Sequence, residues 1–172
     1  MYDFNIQTAS LADVDSIYSI MHSVSASMKD PSLYVTDDQD FIRRHVEEDG
    51  FTLIARSGNT PAGFLIVRIP GNAPDNLGID LGFTHEQLLL SAHMESAAVL
   101  PEFQGNHLQK RLISAAETIL VSRGYHYALA TVSPKNPYSL QNMLASGYRI
   151  AKTTLKYGGL ERHIIIKPLS DS

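Results

Sequence analysis

Apolar and polar positions alternate weakly over residues 3–8 (DFNIQT), which predicts a first strand, and the period then lengthens. Ser10 with Asp13 three residues later is a helix-start signature. Leu11, Val14, Ile17, Tyr18 and Met21 follow at helical spacing, so an amphipathic helix is expected to about Met28. Residues 37–48 carry Phe41, Ile42 and Val46 at the same spacing with acidic residues early, predicting a second, shorter helix stopped by Asp49-Gly50. Residues 51–56 and 62–69 are β-rich runs joined by a turn-forming cluster, Ser57-Gly58-Asn59-Thr60-Pro61, and are expected to pair antiparallel. Residues 70–83 are rich in Gly, Pro, Asn and Asp without sustained period. They read as a long surface excursion, with a helical turn able to begin in residues 84–90.

Residues 93–100 read as a further strand, after which Leu108, Leu112, Ala115, Ala116, Ile119 and Leu120 recur every three or four residues up to Arg123-Gly124, the strongest helical pattern in the chain. A strand over residues 125–132 leads through Ser133-Pro134-Lys135-Asn136-Pro137 into a helix over 138–145, with Ser139 in its first turn and Ser146-Gly147 closing it. Residues 148–156 and 162–167 flank Tyr157-Gly158-Gly159-Leu160 and read as a last hairpin. The order is βααββ, excursion, βαβαββ. With 172 residues, 44% of them hydrophobic, and no repeat or linker, one α/β domain over residues 1–172 is expected.

Charge and composition narrow the function. Lys plus Arg number 14 against 18 Asp plus Glu, for a net charge of -4, so no global field draws in nucleic acid or an anionic membrane, and neither is expected as a partner. Without cysteine there are no disulfides or thiolate nucleophiles. The seven His lack metal-ligand spacing, so no metal is expected. MYDFNIQTAS has no leader character and no later run is long and apolar enough to span a membrane, which points to a cytoplasmic protein.

The informative stretch is Val99-Leu100-Pro101-Glu102-Phe103-Gln104-Gly105-Asn106-His107-Leu108-Gln109-Lys110-Arg111-Leu112, a strand, sharp turn and helix in direct succession. A helix start exposes unpaired amide donors and the positive end of a dipole, which together hold phosphate. Pro101 ends strand pairing, Gly105 permits close backbone approach, and Lys110 and Arg111 add positive charge. A plain surface turn ahead of an amphipathic helix shares the local pattern. The alternation of the preceding strand sets His93, Glu95, Ala97 and Val99 on one face, so two ionisable groups lie side by side. That pair suits general-base work, or else His93 is a partly exposed strand residue and Glu95 pairs with a cation.

The run resembles the signature of the GNAT N-acetyltransferases, in which V-x-P-E-aromatic precedes Q/R-x-x-G-x-G/A. Gln104 matches the first signature position and Gly105 a glycine that many bacterial members carry, whereas His107 and Gln109 stand where the family has Gly and Gly/Ala. Asn136, Ser139, Gly147 and Tyr148 are spaced like a second family segment. The resemblance covers nearly the whole chain outside residues 70–90. It implies a mixed, mostly antiparallel seven-stranded sheet with flanking helices and splayed fourth and fifth strands. It implies acetyl-CoA in the cleft between those strands, lined by Ala97, Val99 and Leu100. The pyrophosphate would lie on the amides of Gln104, Gly105, Asn106, His107, Leu108 and Gln109, with Lys110 beside it and Asn136 and Ser139 on the pantetheine arm. Asn136 as a mere helix-start residue looks the same in sequence.

The family chemistry moves an acetyl group from acetyl-CoA to an amine, on a small molecule or on a peptide or protein, with base assistance. A base commonly projects from this strand in the family, and His93 falls where histone-acetylating members place a catalytic Glu. His93 and Glu95 are therefore the catalytic candidates. Many members carry a leaving-group acid, a Tyr, at the position of Met143; Tyr138 and Tyr148 are the nearby alternatives. Tyr157 and Arg162, at the hairpin tip, read as acceptor contacts or as parts of a plain turn. Asp75 and Asp80 suit a cationic amine or a solvated loop equally. The missing Tyr and glycines leave a second reading, an acetyl-CoA-binding sensor with weak turnover. The acceptor and the oligomeric state stay open, a homodimer among the options.

Overall fold

The structure is a computed structural model that describes residues 2–169. It contains strands β1 (Phe4–Thr8), β2 (Gly50–Ser57), β3 (Thr60–Arg68), β4 (Ser91–Val99), β5 (Tyr127–Val132), β6 (Arg149–Lys156) and β7 (Leu160–Pro168). The helices are α1 (Val14–Ser27), α2 (Gln39–Glu47), α3 (Leu77–Asp80), α4 (His85–Leu89), α5 (Leu108–Ser122) and α6 (Pro137–Ala145). The seven strands form one mixed sheet in the order β1-β2-β3-β4-β5-β7-β6. The β4–β5 pair is parallel, its ladder joining Ser91–His93 to Tyr127–Leu129, and both strands continue past it. The chain packs as two compact units, one running up to Arg68 and including Ser96–Ala116, the other Ile69–Glu95 with the residues from Glu117 onward.

In the first unit, the Ser10–Asp13 signature forms a capping box, with the Ser10 amide donating to Asp13 Oδ2 at 2.9 Å. It closes a short 3-10 turn over Leu11–Asp13 before α1 begins. Asp13 also receives the Arg56 guanidinium. Asp38 Oδ1 accepts the Phe41 amide at 2.8 Å and starts α2. Ile17, Met21, Ile42, Ile54, Phe64 and Ile66 are fully buried together, with Ala98 of β4 in the same cluster. Each such aliphatic side chain contributes roughly 2 kcal/mol by leaving water.

Tyr34, between α1 and α2, packs against this core and its hydroxyl lies 3.0 Å from Ser96 Oγ. Burial, with Asp37 adding to it and the Ser96 bond opposing, pushes its pKa up to about 12. The folded state then holds the phenol proton more tightly than the unfolded chain. The associated stability is complete below about pH 10 and lost as pH rises through about 12. Tyr34→Phe should remove that alkaline component and cost about 0.5–1.5 kcal/mol at neutral pH, as read by urea unfolding at neutral pH and at about pH 11. An unchanged alkaline slope would contradict the assignment.

In the second unit, Leu77 packs with Leu129, Ile164 and Ile166, and Leu81, Phe83 and Tyr127 border them. This corrects the expectation of a surface excursion over residues 70–83. Asn76 and Leu77 are buried, and a short helix, α3, forms within the segment because Asn76 caps it; α4 follows in the helical turn expected over residues 84–90, started by Thr84. Its Oδ1 accepts the Gly78 amide at 2.9 Å, and its Nδ2 donates to the carbonyls of Gly71 at 2.9 Å and Leu88 at 3.3 Å. Asp80 is likewise no free loop charge, since Lys156 Nζ donates to its carboxylate at 2.5 Å. The α5 helix stops at Gly124 (φ +85), with the Tyr125 amide bonding back to the Leu120 carbonyl at 3.0 Å. That bond takes Tyr125 out of the predicted strand, which begins two residues later.

Candidate active site

The turn predicted to hold phosphate lies in the first unit and is built from its own side chains. β4 ends at Val99, where the Leu100 amide donates to the Ala62 carbonyl at 2.9 Å, and a 3-10 turn follows over Pro101–Phe103. Phe103 is buried and sits edge-on to Tyr2 and Phe4 at ring distances of 4.8 and 5.9 Å, which anchors the turn. Gln104 Nε2 donates to the Val99 carbonyl at 3.2 Å, and Asn106 Nδ2 donates to the carbonyls of Phe103 at 2.9 Å and Gln104 at 3.3 Å. The side-chain amides thus satisfy the carbonyls of the turn and fix its curvature.

Its amide groups are left over. The Arg111 amide bonds the His107 carbonyl at 3.0 Å, opening the α5 ladder. Among the described residues, the amides from His107 to Lys110 donate to no backbone carbonyl. Gly105 (φ +83) and His107 (φ +57) are both left-handed. Leu108 and Leu112 are buried and fix the helix start, while Gln104, Gly105, His107 and Lys110 are exposed. Ala97 is half-buried and Val99 buried on the approaching strand. The set is suited to an anion with several oxygens.

In the second unit, β4 carries His93 and Glu95. His93 Nδ1 lies 3.6 Å from Glu95 Oε2, so the alternation brings the two together as expected. Their surroundings differ. The side chain of His93 is 3% exposed and that of Glu95 24%. The Leu77 amide donates to His93 Nε2 at 3.1 Å, which occupies the ring lone pair. Glu95 is the member of the pair whose side chain reaches solvent. The partner that changes the character of His93, Asn76-Leu77, was not singled out in the sequence. Its signal is an Asn two residues before Gly78, an Asx cap inside a stretch without period.

Asn136 and Ser139 come together at the start of α6, where Asn136 Oδ1 accepts the Ser139 amide at 3.2 Å. The cap uses the oxygen of Asn136 and leaves its Nδ2 outside that bond. Met143 is buried. The Tyr148 hydroxyl is also buried and donates to Glu117 Oε2 at 2.9 Å, while Lys167 Nζ donates to the other Glu117 oxygen at 2.9 Å. Burial first, then the Glu117 charge, pushes the Tyr148 pKa far above the phenol range, so this tyrosine is not placed to protonate a leaving thiolate. Tyr138 is 67% exposed. At the hairpin tip Tyr157 (φ +51) meets Thr131 Oγ1 at 2.8 Å, and the Arg162 guanidinium lies 5.9 Å from its ring.

The turn leads directly into a fifteen-residue helix, on a mixed sheet with a parallel β4–β5 pair. The model of the acetyltransferase (GNAT) family matches residues 13–148. The chain belongs to the GNAT acetyltransferase family. It is similar in fold to the ribosomal-protein-S18-alanine N-acetyltransferase of Escherichia coli, with a TM-score of 0.74 at 16% identity over 99% of this chain and 96% of that one. It is also similar to yncA of Salmonella typhimurium, solved with its cofactor acetyl-CoA (TM-score 0.73, 17% identity, 99% and 96% covered). A third is a phosphinothricin acetyltransferase of Sinorhizobium meliloti in complex with acetyl-CoA (0.71, 16%, 98% and 90%). No curated protein sequence matches the chain.

Within the GNAT frame the two departures from the signature have different meanings. His107 occupies a left-handed position, the reason glycine suits it, whereas Gln109 is an ordinary residue of the first turn of α5. Among the described residues no three His, Cys, Asp or Glu converge as metal ligands, and no helix is long and apolar enough to cross a membrane.

Proposed function

We propose that this GNAT protein binds acetyl-CoA and transfers its acetyl group directly to a primary amine, of a small molecule or of a peptide or protein, with Glu95 as base. The carrying observation is the row of amides from His107 to Lys110 that donate to no backbone carbonyl among the described residues, at the positive end of α5. These amides, with Lys110, would hold the pyrophosphate. Ala97, Val99 and Leu100 would lie along the pantetheine. Acetyl-CoA supplies the activated acetyl group when bound. Glu95 takes up the proton that the amine releases as its nitrogen bonds to the carbonyl carbon and the C–S bond breaks; coenzyme A leaves as the thiolate and takes its proton from water. The two neighbours solved with acetyl-CoA support the choice of cosubstrate.

A buried Met143 and a Tyr148 hydroxyl engaged by Glu117 favour the second reading, an acetyl-CoA sensor that turns over weakly. The two are separated by following thiol release from acetyl-CoA across a panel of polyamines, aminoglycosides, amino acids and short peptides with free N-termini or lysines. Release stimulated by one class of amine is the expected result. Binding without release from any of them would turn the assignment toward the sensor.

A further inference from the structure

We infer that His93 is a positioning residue for Glu95, and that the segment over residues 70–90 sets its ring tautomer. The inference rests on Glu95 being the base proposed above. A neutral imidazole has one N–H and one lone pair. The Leu77 amide donates to Nε2 at 3.1 Å, so the lone pair is on Nε2 and the proton on Nδ1. Nδ1 is the ring atom that faces Glu95, at 3.6 Å from Oε2, beyond a direct hydrogen bond and within reach of charge–dipole attraction. The ring is almost wholly buried, so its orientation is fixed by packing as well as by this bond.

The Leu77 amide is held in place in turn. It is the first residue of α3, and the neighbouring Asn76, 1% exposed, bonds Gly78, Gly71 and Leu88 through both ends of its amide. A chain of contacts therefore runs from the Gly71 and Leu88 carbonyls through Asn76 and Leu77 to His93 and ends at the Glu95 carboxylate. Removing the ring proton from Nδ1 would set a lone pair against a carboxylate, so the Leu77 bond excludes the tautomer that repels Glu95. In this arrangement His93 carries no proton to or from substrate. It keeps the Glu95 carboxylate in one orientation.

Two substitutions separate positioning from packing. Asn at position 93 restores an N–H near the place of Nδ1 and gives up the contact with Leu77. Gln reaches toward Leu77 and gives up the N–H toward Glu95. His93→Asn should keep kcat within about 5-fold of the wild type while melting earlier, and His93→Gln should lower kcat by about 20-fold or more with KM for acetyl-CoA held within about 2-fold. In a Glu95→Gln background, His93→Gln should cost less than about 2-fold further, because the two act as one unit. Equal losses for Asn and Gln, or independent losses in the double variant, would overturn the positioning role and leave Glu95 as base. Full activity in Glu95→Gln alone would overturn both. Should either variant at position 93 fail to fold, long-range proton–nitrogen correlation of histidine-labelled wild-type protein decides: the expected spectrum has His93 protonated on Nδ1 and bare on Nε2, and the opposite tautomer would refute the inference.

Discussion

Glu95→Gln should lower kcat for amine acetylation by about 10²–10⁴-fold, the usual worth of a positioned general base, with the Kd of acetyl-CoA changed less than about 2-fold. The substitution keeps shape and polarity at a side chain that is 24% exposed, so a folding defect is not expected. An amine near neutral pH is mostly protonated, and only its neutral form attacks. The enzyme must therefore remove a proton before or during transfer, and a glutamine amide cannot accept it. Stopped-time assays of thiol release at saturating acetyl-CoA, paired with calorimetric titration of the cosubstrate, read the two effects separately. Retention of wild-type kcat would remove Glu95 from the chemistry. A comparable loss of affinity and rate would move it to substrate binding.

His107→Asp should weaken acetyl-CoA binding by roughly 30- to 1,000-fold while changing stability by less than about 1 kcal/mol. The magnitude follows from about 2–4 kcal/mol for a carboxylate set a few ångström from bound phosphate at the protein surface. His107 is exposed and left-handed, a conformation that Asp tolerates better than most residues, so the turn has no reason to collapse. A new anion at the start of α5 would compete for the open amides and repel the pyrophosphate. His107→Gly is the matching control, since glycine relieves the left-handed strain and keeps the amide: affinity should stay within about 3-fold and stability rise or hold. Equal affinity for the Asp variant and the wild type would show the turn to be no more than a connection between β4 and α5.

The outline of this fold was legible in the sequence wherever one face of an element is buried and the period is strong. The three- and four-residue spacing of Leu108, Leu112, Ala116 and Leu120 marks the side of α5 that the structure buries. The turn clusters at residues 57–61 and 157–160 lie where the β2–β3 and β6–β7 hairpins turn. Residues 70–90 were legible only in part. The helical turn over residues 84–90 was read, but the four residues of α3 present too little of a period to be recognised, and its order depends on Asn76, a cap that bonds Leu88 twelve positions away. The candidate site divides along the same line. The phosphate turn is local, and Pro101, Gln104 and Gly105 announce it. The difference between His93 and Glu95 is set by a contact across sixteen residues, and alternation along β4 treats the two alike.

His107 shows how a departure from a family pattern is read once geometry is known. The glycine signature of the turn reflects a need for left-handed backbone, and this chain meets that need at Gly105 with φ +83 and at His107 with φ +57.

If the turn from Gln104 to Lys110 holds the pyrophosphate of acetyl-CoA, calorimetric titration of the wild-type protein with acetyl-CoA alone reads it, with no amine acceptor needed. Saturable one-to-one binding with a Kd of about 1–100 μM, displaced by free coenzyme A, is the expected result. No binding at about 1 mM acetyl-CoA would contradict it.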